Sequence, residues 1–280
     1  KTTEAEQLIS NKIIHGGIRY LENYDFRLVR ESLLERQVLF QTAPHFAHPI
    51  SFVMPHSPQL RSRCLIKAGM WLYDHLAALK GLAKSKQVDL LRDKLGEPIR
   101  DEYKTGFQYT DGQTNDARWV IFNALDARQH GADICTRTCC VDLIRHKDYW
   151  VASLQASDRR FKVHVKAIVN ATGPWVHCFN ENAAHHADNF RMHMVKGSHI
   201  VVDSLYSGKQ AYIIQHTDKR VIIITPFEER FTLIGTTDIN YHADPEQVHI
   251  DDSEIDYLCD AVANYFKKPP QPSDVVWSFS

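Results

Sequence analysis

Residues 194–238, MVKGSHIVVDSLYSGKQAYIIQHTDKRVIIITPFEERFTLIGTTD, decide the fold class of this chain. Four runs rich in β-branched residues, MVKGSHIVV, AYIIQH, RVIIITPF and FTLIGTTD, follow one another across short polar interruptions, as sequential strands do. Thr217 and Asp218 stand between the second and third runs as a hairpin turn, so antiparallel pairing is expected.

Working outward, ADICTRTCCVDLIRH, DYWVASLQ and RFKVHVKAIVNATG read as three further strands. In the last, Phe161, Val163 and Val165 alternate with Lys162, His164 and Lys166, and the apolar run from Ala167 to Val169 is expected to enter a buried sheet. TNDARWVIFNALDARQHG is expected to be a helix, capped by Thr114 or Asn115 and ended by Gly131.

Residues 84–104 are polar and read as a connector, whereas RSRCLIKAGMWLYDHLAALKGLA suits a largely buried helix. AHPISFVMPHSP reads as a strand bounded by prolines. From Asp25 an amphipathic helix is expected, with Phe26, Val29, Leu33 and Phe40 on one face and Pro44 at its stop. At the other end, DSEIDYLCDAVANYF reads as a capped helix and DVVWSFS as a strand. An antiparallel block among helices indicates a mixed α/β (α+β) architecture.

Of 280 residues, 44% are hydrophobic and 24% charged, which suits a globular chain with a sizeable core. The 33 basic and 34 acidic residues nearly cancel, so no global field draws nucleic acid. The six cysteines include no C-x-x-C pair, which favours a reducing compartment. Cys139 and Cys140 would point to opposite faces of a strand, against a joint role. Sixteen histidines include no H-E-x-x-H or H-x-H pattern, so no metal site is expected, and the pair His185 and His186 reads as a solvated loop. No apolar run reaches the roughly 20 residues that span a bilayer. A cytoplasmic protein, or one attached peripherally to a membrane, is expected.

Four short motifs could carry chemistry. IIHGGIRYLE pairs a glycine turn with His15, Arg19 and Tyr20, which can meet an anionic or hydroxylated ligand; it reads equally as a turn with a surface arginine. NATGPW, residues 170–175, is a close-approach loop or a bare strand-end turn. KGSHIVV sends Ser198 and His199 to opposite faces, although a lone strand histidine is more often structural. IGTTD sets two hydroxyls and a carboxylate just past a strand, for a ligand or for their own backbone.

In this order and spacing, IHGGIRYLE, GFQYTDGQTNDAR, NATGPW, KGSHIVV, a hairpin ending in Thr-Pro and IGTTD resemble FAD-dependent glycerol-3-phosphate dehydrogenases of the respiratory type. That family belongs to the flavoenzymes similar to D-amino-acid oxidase, and the resemblance covers nearly the whole chain. It implies an FAD-binding domain, here residues 1–45 and 108–180, interleaved with a β-rich antiparallel substrate domain, residues 46–107 and 181–280. It also implies that Lys12, His15, Gly16, Gly17, Ala171, Thr172, Gly173 and Trp175 lie at FAD. Arg19, Tyr20, His199, Thr236 and Thr237 would line the substrate pocket, with Arg19 on the phosphate and His199 as proton acceptor. The implied reaction is oxidation of sn-glycerol 3-phosphate to dihydroxyacetone phosphate by hydride transfer to FAD, electrons passing to quinone. A homodimer and peripheral contact with the cytoplasmic membrane accompany that expectation.

The chain departs from the pattern at both ends. No two glycines are separated by one residue, so the G-x-G-x-x-G turn that holds a dinucleotide pyrophosphate is absent. Only fourteen residues precede His15, and those just before the motif read EQLISNK, with Ser10 as their one serine, where the family has a serine-rich run. After WSFS the family continues into a glycine, an arginine and a proline. The chain is therefore expected to be a truncated central portion without the N-terminal βαβ unit, binding FAD weakly or not at all. Two alternatives follow: a non-catalytic phosphate-ester-binding or assembly module, and a related amino-acid oxidase.

Overall fold

The computed structural model describes residues 12–57, 61–77, 81–185 and 192–280. Strand β1 (Ile13–Ile14) and a 3-10 turn (Ile18–Asn23) lead into helix α1 (Phe26–Thr42), strand β2 (Ala47–Pro55) and helix α2 (Arg63–Leu76). Strands β3 (Lys86–Asp89) and β4 (Thr105–Thr114) precede helix α3 (Asp116–Gln129). Next come β5 (Cys139–Arg145), β6 (Trp150–Gln155), β7 (Arg160–Val165) and the short helix α4 (Val176–Asn182). The chain then forms β8 (Met194–Lys196), β9 (His199–Asp203), β10 (Ala211–Gln215), β11 (Val221–Phe227), β12 (Phe231–Gly235) and β13 (Ile239–Tyr241). Helix α5 (Asp252–Ala263) and β14 (Val275–Phe279) complete it.

Two compact units emerge. Among the described residues the smaller holds Val120–Lys196 and Ile239–Val248, and the larger holds the rest. The larger unit is built on a nine-stranded sheet ordered β1-β4-β2-β10-β11-β12-β9-β14, with β3 also paired to β4. Its pairings are antiparallel except β2 with β10, which is parallel.

Strand alternation gives this sheet two apolar faces. Val53, Tyr212, Ile222, Ile224, Ile200 and Ile234 pack with Leu258, Ala261 and Val262 of α5. Phe52, Phe107, Tyr109 and Ala211 pack with Val29 and Leu33 of α1 and with Met70 and Tyr73 of α2. Each large aliphatic side chain buried there contributes about 1.5–3 kcal/mol. Helix α5 starts where Asp251 and Glu254 cap each other's backbone amides in a reciprocal box. The smaller unit carries the three-stranded meander β5-β6-β7, the β8-β13 pair and α4.

The mixed α/β class, the strands at AYIIQH, RVIIITPF and FTLIGTTD and the hairpin at Thr217 and Asp218 are as the sequence predicts. Five local expectations change. MVKGSHIVV breaks at Gly197 into β8 and β9, which belong to different units. Residues 84–104 are not a bare connector: β3 pairs with β4, and Val88, Leu90 and Ile99 enter the core. Three apolar residues spread over twelve positions leave no periodic signal, so only the distant partner strand reveals them.

Helix α2 is not largely buried, since Met70 and Tyr73 are covered while Trp71 is 63% exposed. Helix α1 turns Phe26 outward and buries Arg36 beside Val29 and Leu33. Residues 167–169 form no strand, and Val169 stands 87% exposed. Of the two cap candidates for α3 it is Asn115 that accepts the Arg118 amide, at 3.0 Å, while Thr114 ends β4. Ser10 and His186 lie outside the described residues. The compact units are cut differently from the flavin and substrate segments, which the resemblance defines by what they bind.

Candidate functional site

The glycine turn is held from below. The Gly16 amide donates to Asp111 Oδ1 at 2.7 Å, and a Cβ on Gly16 would overlap the Tyr73 hydroxyl and Leu33. Gly17 has φ 76°, a left-handed conformation that glycine adopts without penalty, and the Tyr20 ring lies against it. His15, Arg19 and Tyr20 are exposed around this turn, the His15 and Tyr20 rings 6.4 Å apart. Among the described residues Arg19 has no ion-pair partner, so its guanidinium can serve an outside anion.

Asp111 sits at the centre of a buried network. It pairs with the Arg36 guanidinium, which is 1% exposed, and accepts from the Tyr73 hydroxyl at 3.2 Å. Arg36 also donates to the Thr110 carbonyl at 3.1 Å. Burial pushes the Asp111 carboxyl up, against the downward pull of Arg36 and the Gly16 amide. Burial likewise raises the Tyr73 phenol. Sequence reading missed these three residues. The available signal was Arg36 itself, at helical spacing from Val29 and Leu33 on an otherwise apolar face.

His199 opens β9, opposite Gly235 of β12 on one side and Phe279 of β14 on the other. Its ring is 3% exposed and stacks on Phe279 at 4.9 Å and 13°. A Cβ on Gly235 would strike the imidazole. Burial, then the Lys12 charge, hold the His199 pKa down to about 4, with a backbone bond at Gly197 opposing them. The ring is therefore neutral at pH 7. Lys12 also pairs with Asp116 at 2.6 Å, so the entry strand and the His199 strand feel one another's charge. A neutral imidazole accepts a hydrogen bond from an alcohol, and an anionic ligand beside it would raise its basicity.

The two threonines beyond β12 differ. Thr236 is half-buried and donates to the Thr237 carbonyl at 2.9 Å; Thr237 is 2% exposed and donates to Glu254 Oε1 at 2.8 Å. The larger unit thus holds Lys12, the 15–20 turn, His199, Thr236 and Thr237, and the Lys12 charge acts on His199.

Residues 171–175 belong to the smaller unit. Asn170 braces this turn: its Oδ1 accepts from the Thr172 hydroxyl at 2.7 Å, and its Nδ2 donates to Asn180 Oδ1 at 2.7 Å. Gly173 has φ 57°, and the buried Trp175 Nε1 has no hydrogen-bond partner among the described residues. An orphaned indole donor beside an exposed glycine backbone suits a flat, acceptor-rich ligand, and a flavin is one.

Comparison with known proteins follows the same line. A D-erythritol 1-phosphate dehydrogenase of Brucella abortus (strain 2308) is 47% identical over 275 residues, covering 97% of this chain and 54% of that protein. A glycerol-3-phosphate dehydrogenase of Pseudomonas aeruginosa is 44% identical over 272 residues, covering 97% of this chain and 52% of that protein. The chain thus spans about half the length of the curated relatives it matches. The solved glycerol-3-phosphate dehydrogenase from Bacillus halodurans, complexed with FAD, superposes with a TM-score of 0.73 at 22% identity, over 100% of this chain and 48% of that one. This last likeness shows a shared fold. The model of the family described as FAD dependent oxidoreductase matches residues 9–280, and this chain belongs to that family.

Proposed function

We propose that the protein carrying this chain oxidises the secondary alcohol of sn-glycerol 3-phosphate to the ketone of dihydroxyacetone phosphate. The observation that carries the reading is the chain-long 44% identity to a protein named glycerol-3-phosphate dehydrogenase. Bound FAD would supply the acceptor for the hydride. The resemblance assigns Lys12, the His15–Gly17 turn and the Ala171–Trp175 turn to hold it.

In this reading the chain's own groups bind and orient. The Arg19 fork meets the phosphate, where a guanidinium matches paired oxygens, and Tyr20 flanks it. His199 accepts the hydroxyl proton as the hydride leaves carbon, its basicity raised by the substrate's charge. Thr236 offers a hydroxyl at the rim of the same wall. Quinone as the next electron acceptor and a homodimer rest on the resemblance.

Peripheral membrane contact belongs to the same reading. No helix among the described residues is long and apolar enough to cross a membrane. Helix α2, however, exposes Leu65 and Trp71 near Arg63 and Lys67, an apolar and basic pairing that supports attachment to an anionic bilayer. Co-sedimentation with anionic vesicles, lost in Trp71→Ala, tests it.

The 47% identity to a D-erythritol 1-phosphate dehydrogenase favours a second reading, in which the substrate is the longer polyol phosphate. Both substrates present a phosphate monoester and hydroxylated carbons to the same groups. Anaerobic bleaching of flavin absorbance decides: faster reduction by glycerol 3-phosphate supports the first reading and faster reduction by D-erythritol 1-phosphate the second. Binding of either ester without bleaching would support a non-catalytic module.

A further inference from the structure

The acidic member of the α5 capping box has a second set of partners that helix capping does not need. Glu254 Oε2 accepts the Asp251 amide at 3.1 Å, which completes the cap. Its other oxygen, Oε1, accepts from the Ser198 hydroxyl at 2.7 Å and the Thr237 hydroxyl at 2.8 Å. A capping glutamate works at a helix surface, yet Glu254 is 2% exposed. Burying a carboxylate is unfavourable unless its oxygens are matched by donors, and here they are.

Ser198 and Thr237 are also tied to each other. The Ser198 amide donates to Thr237 Oγ1 at 2.8 Å, and the Thr237 amide donates to the Ser198 carbonyl at 3.3 Å. Ser198 Oγ further shares a hydrogen bond with Ser280 Oγ at 2.6 Å. Ser198 immediately precedes His199, and Thr237 immediately follows Thr236. Both functional neighbours are therefore gripped from behind by one carboxylate. The single Thr237 proton is committed to a charged acceptor, and a substrate oxygen would have to break that bond to claim it.

We propose that Glu254 is a positioning residue for the wall that carries His199 and Thr236, and that Thr237 acts through Glu254 instead of touching substrate. The proposal rests on the reading that this wall meets a polyol phosphate. Its consequence is that Thr237 and Glu254 form one functional unit.

Two measurements test it. In the first, the His199 imidazole is titrated by NMR in this chain, its resonance assigned by its loss in His199→Asn. Thr237→Val and Glu254→Gln should each admit water to the wall and raise the His199 midpoint from its low value toward 6.5. The double variant should raise it no further, and Thr237→Ser should restore it. Should Glu254→Gln fail to fold, Ser198→Ala takes its place. A midpoint unmoved in every variant overturns the proposal. In the second, kcat/KM for the polyol phosphate is measured across the same double-mutant cycle in the protein carrying this chain. The double variant should be no slower than the worse single. Losses that multiply would make Thr237 an independent substrate contact and overturn the proposal. A wild-type protein inactive on every polyol phosphate would defeat the functional reading, and the titration alone would then decide the positioning role.

Discussion

The Asp111 carboxylate accepts the Gly16 amide at 2.7 Å, joining strand β4 to a glycine 95 positions earlier. Arg36 and Tyr73 supply the other donors to the same carboxylate, all of them out of solvent. Removing one partner from a buried ion pair strands the other charge. Arg36→Met should therefore destabilise the chain by about 3–5 kcal/mol, read as a lower urea midpoint. Arg36→Met with Asp111→Leu should lose less than Arg36→Met alone. An unchanged midpoint in the single variant would show that the network contributes nothing.

The two adjacent glycines should fail for different reasons. Gly16→Ala drives a methyl into Tyr73 and Leu33, and overpacking of this kind costs about 1–3 kcal/mol. Gly17→Ala places a Cβ at φ 76° and costs about 1–2 kcal/mol. Gly17→Asn should recover part of that loss, because asparagine tolerates the left-handed region, whereas Gly16→Asn should be worse than Gly16→Ala. Thermal midpoints of the four variants distinguish a steric from a conformational requirement.

His199 makes stability depend on pH. The unfolded chain protonates this residue near 6.5 and the folded chain only near 4, so between those values the unfolded state binds more protons. Stability is level above about pH 6.5 and falls as pH drops toward 4, by about 3 kcal/mol for a separation of this size. The difference in urea-derived stability between wild type and His199→Gln should shift in favour of the variant across that window. A difference that does not change with pH would contradict the buried, neutral ring.

Lys12 contributes to the low His199 midpoint through its charge. Lys12→Gln removes that charge and should raise the imidazole midpoint, while Lys12→Arg should leave it low. Histidine side-chain NMR reads both. Because burial is the larger cause, the midpoint in Lys12→Gln should still lie below 6.5.

Trp175 offers a test with two opposite signs. Its indole N–H is buried without a partner among the described residues, a deficit worth about 1–3 kcal/mol. Trp175→Phe should raise the stability of the ligand-free chain. If the turn meets flavin as proposed, the same change should weaken FAD binding, measured by quenching of flavin fluorescence. A gain in both would mean that the indole donor serves no ligand.

Local chemistry was sufficient for much of this molecule. Alternation and β-branched runs mark β9 to β12, Thr217 and Asp218 mark their hairpin, and Asp251 with Glu254 mark the start of α5, because each signal is confined to a few neighbouring residues. The order of IHGGIRYLE, NATGPW, KGSHIVV and IGTTD likewise pointed to the family in which the chain belongs. What lay beyond the sequence depends on partners far along the chain. Arg36 reads as a solvated helix charge until Asp111 is folded beneath it, and Val88 reads as part of a connector until β4 pairs with its strand. Glu254 reads as a cap alone until β9 and the Thr236–Thr237 loop bring two hydroxyls to its second oxygen. Burial is a property of what packs against a residue, so the sequence set the elements and their turns, while tertiary contact decided which charges were buried and which hydroxyls met them.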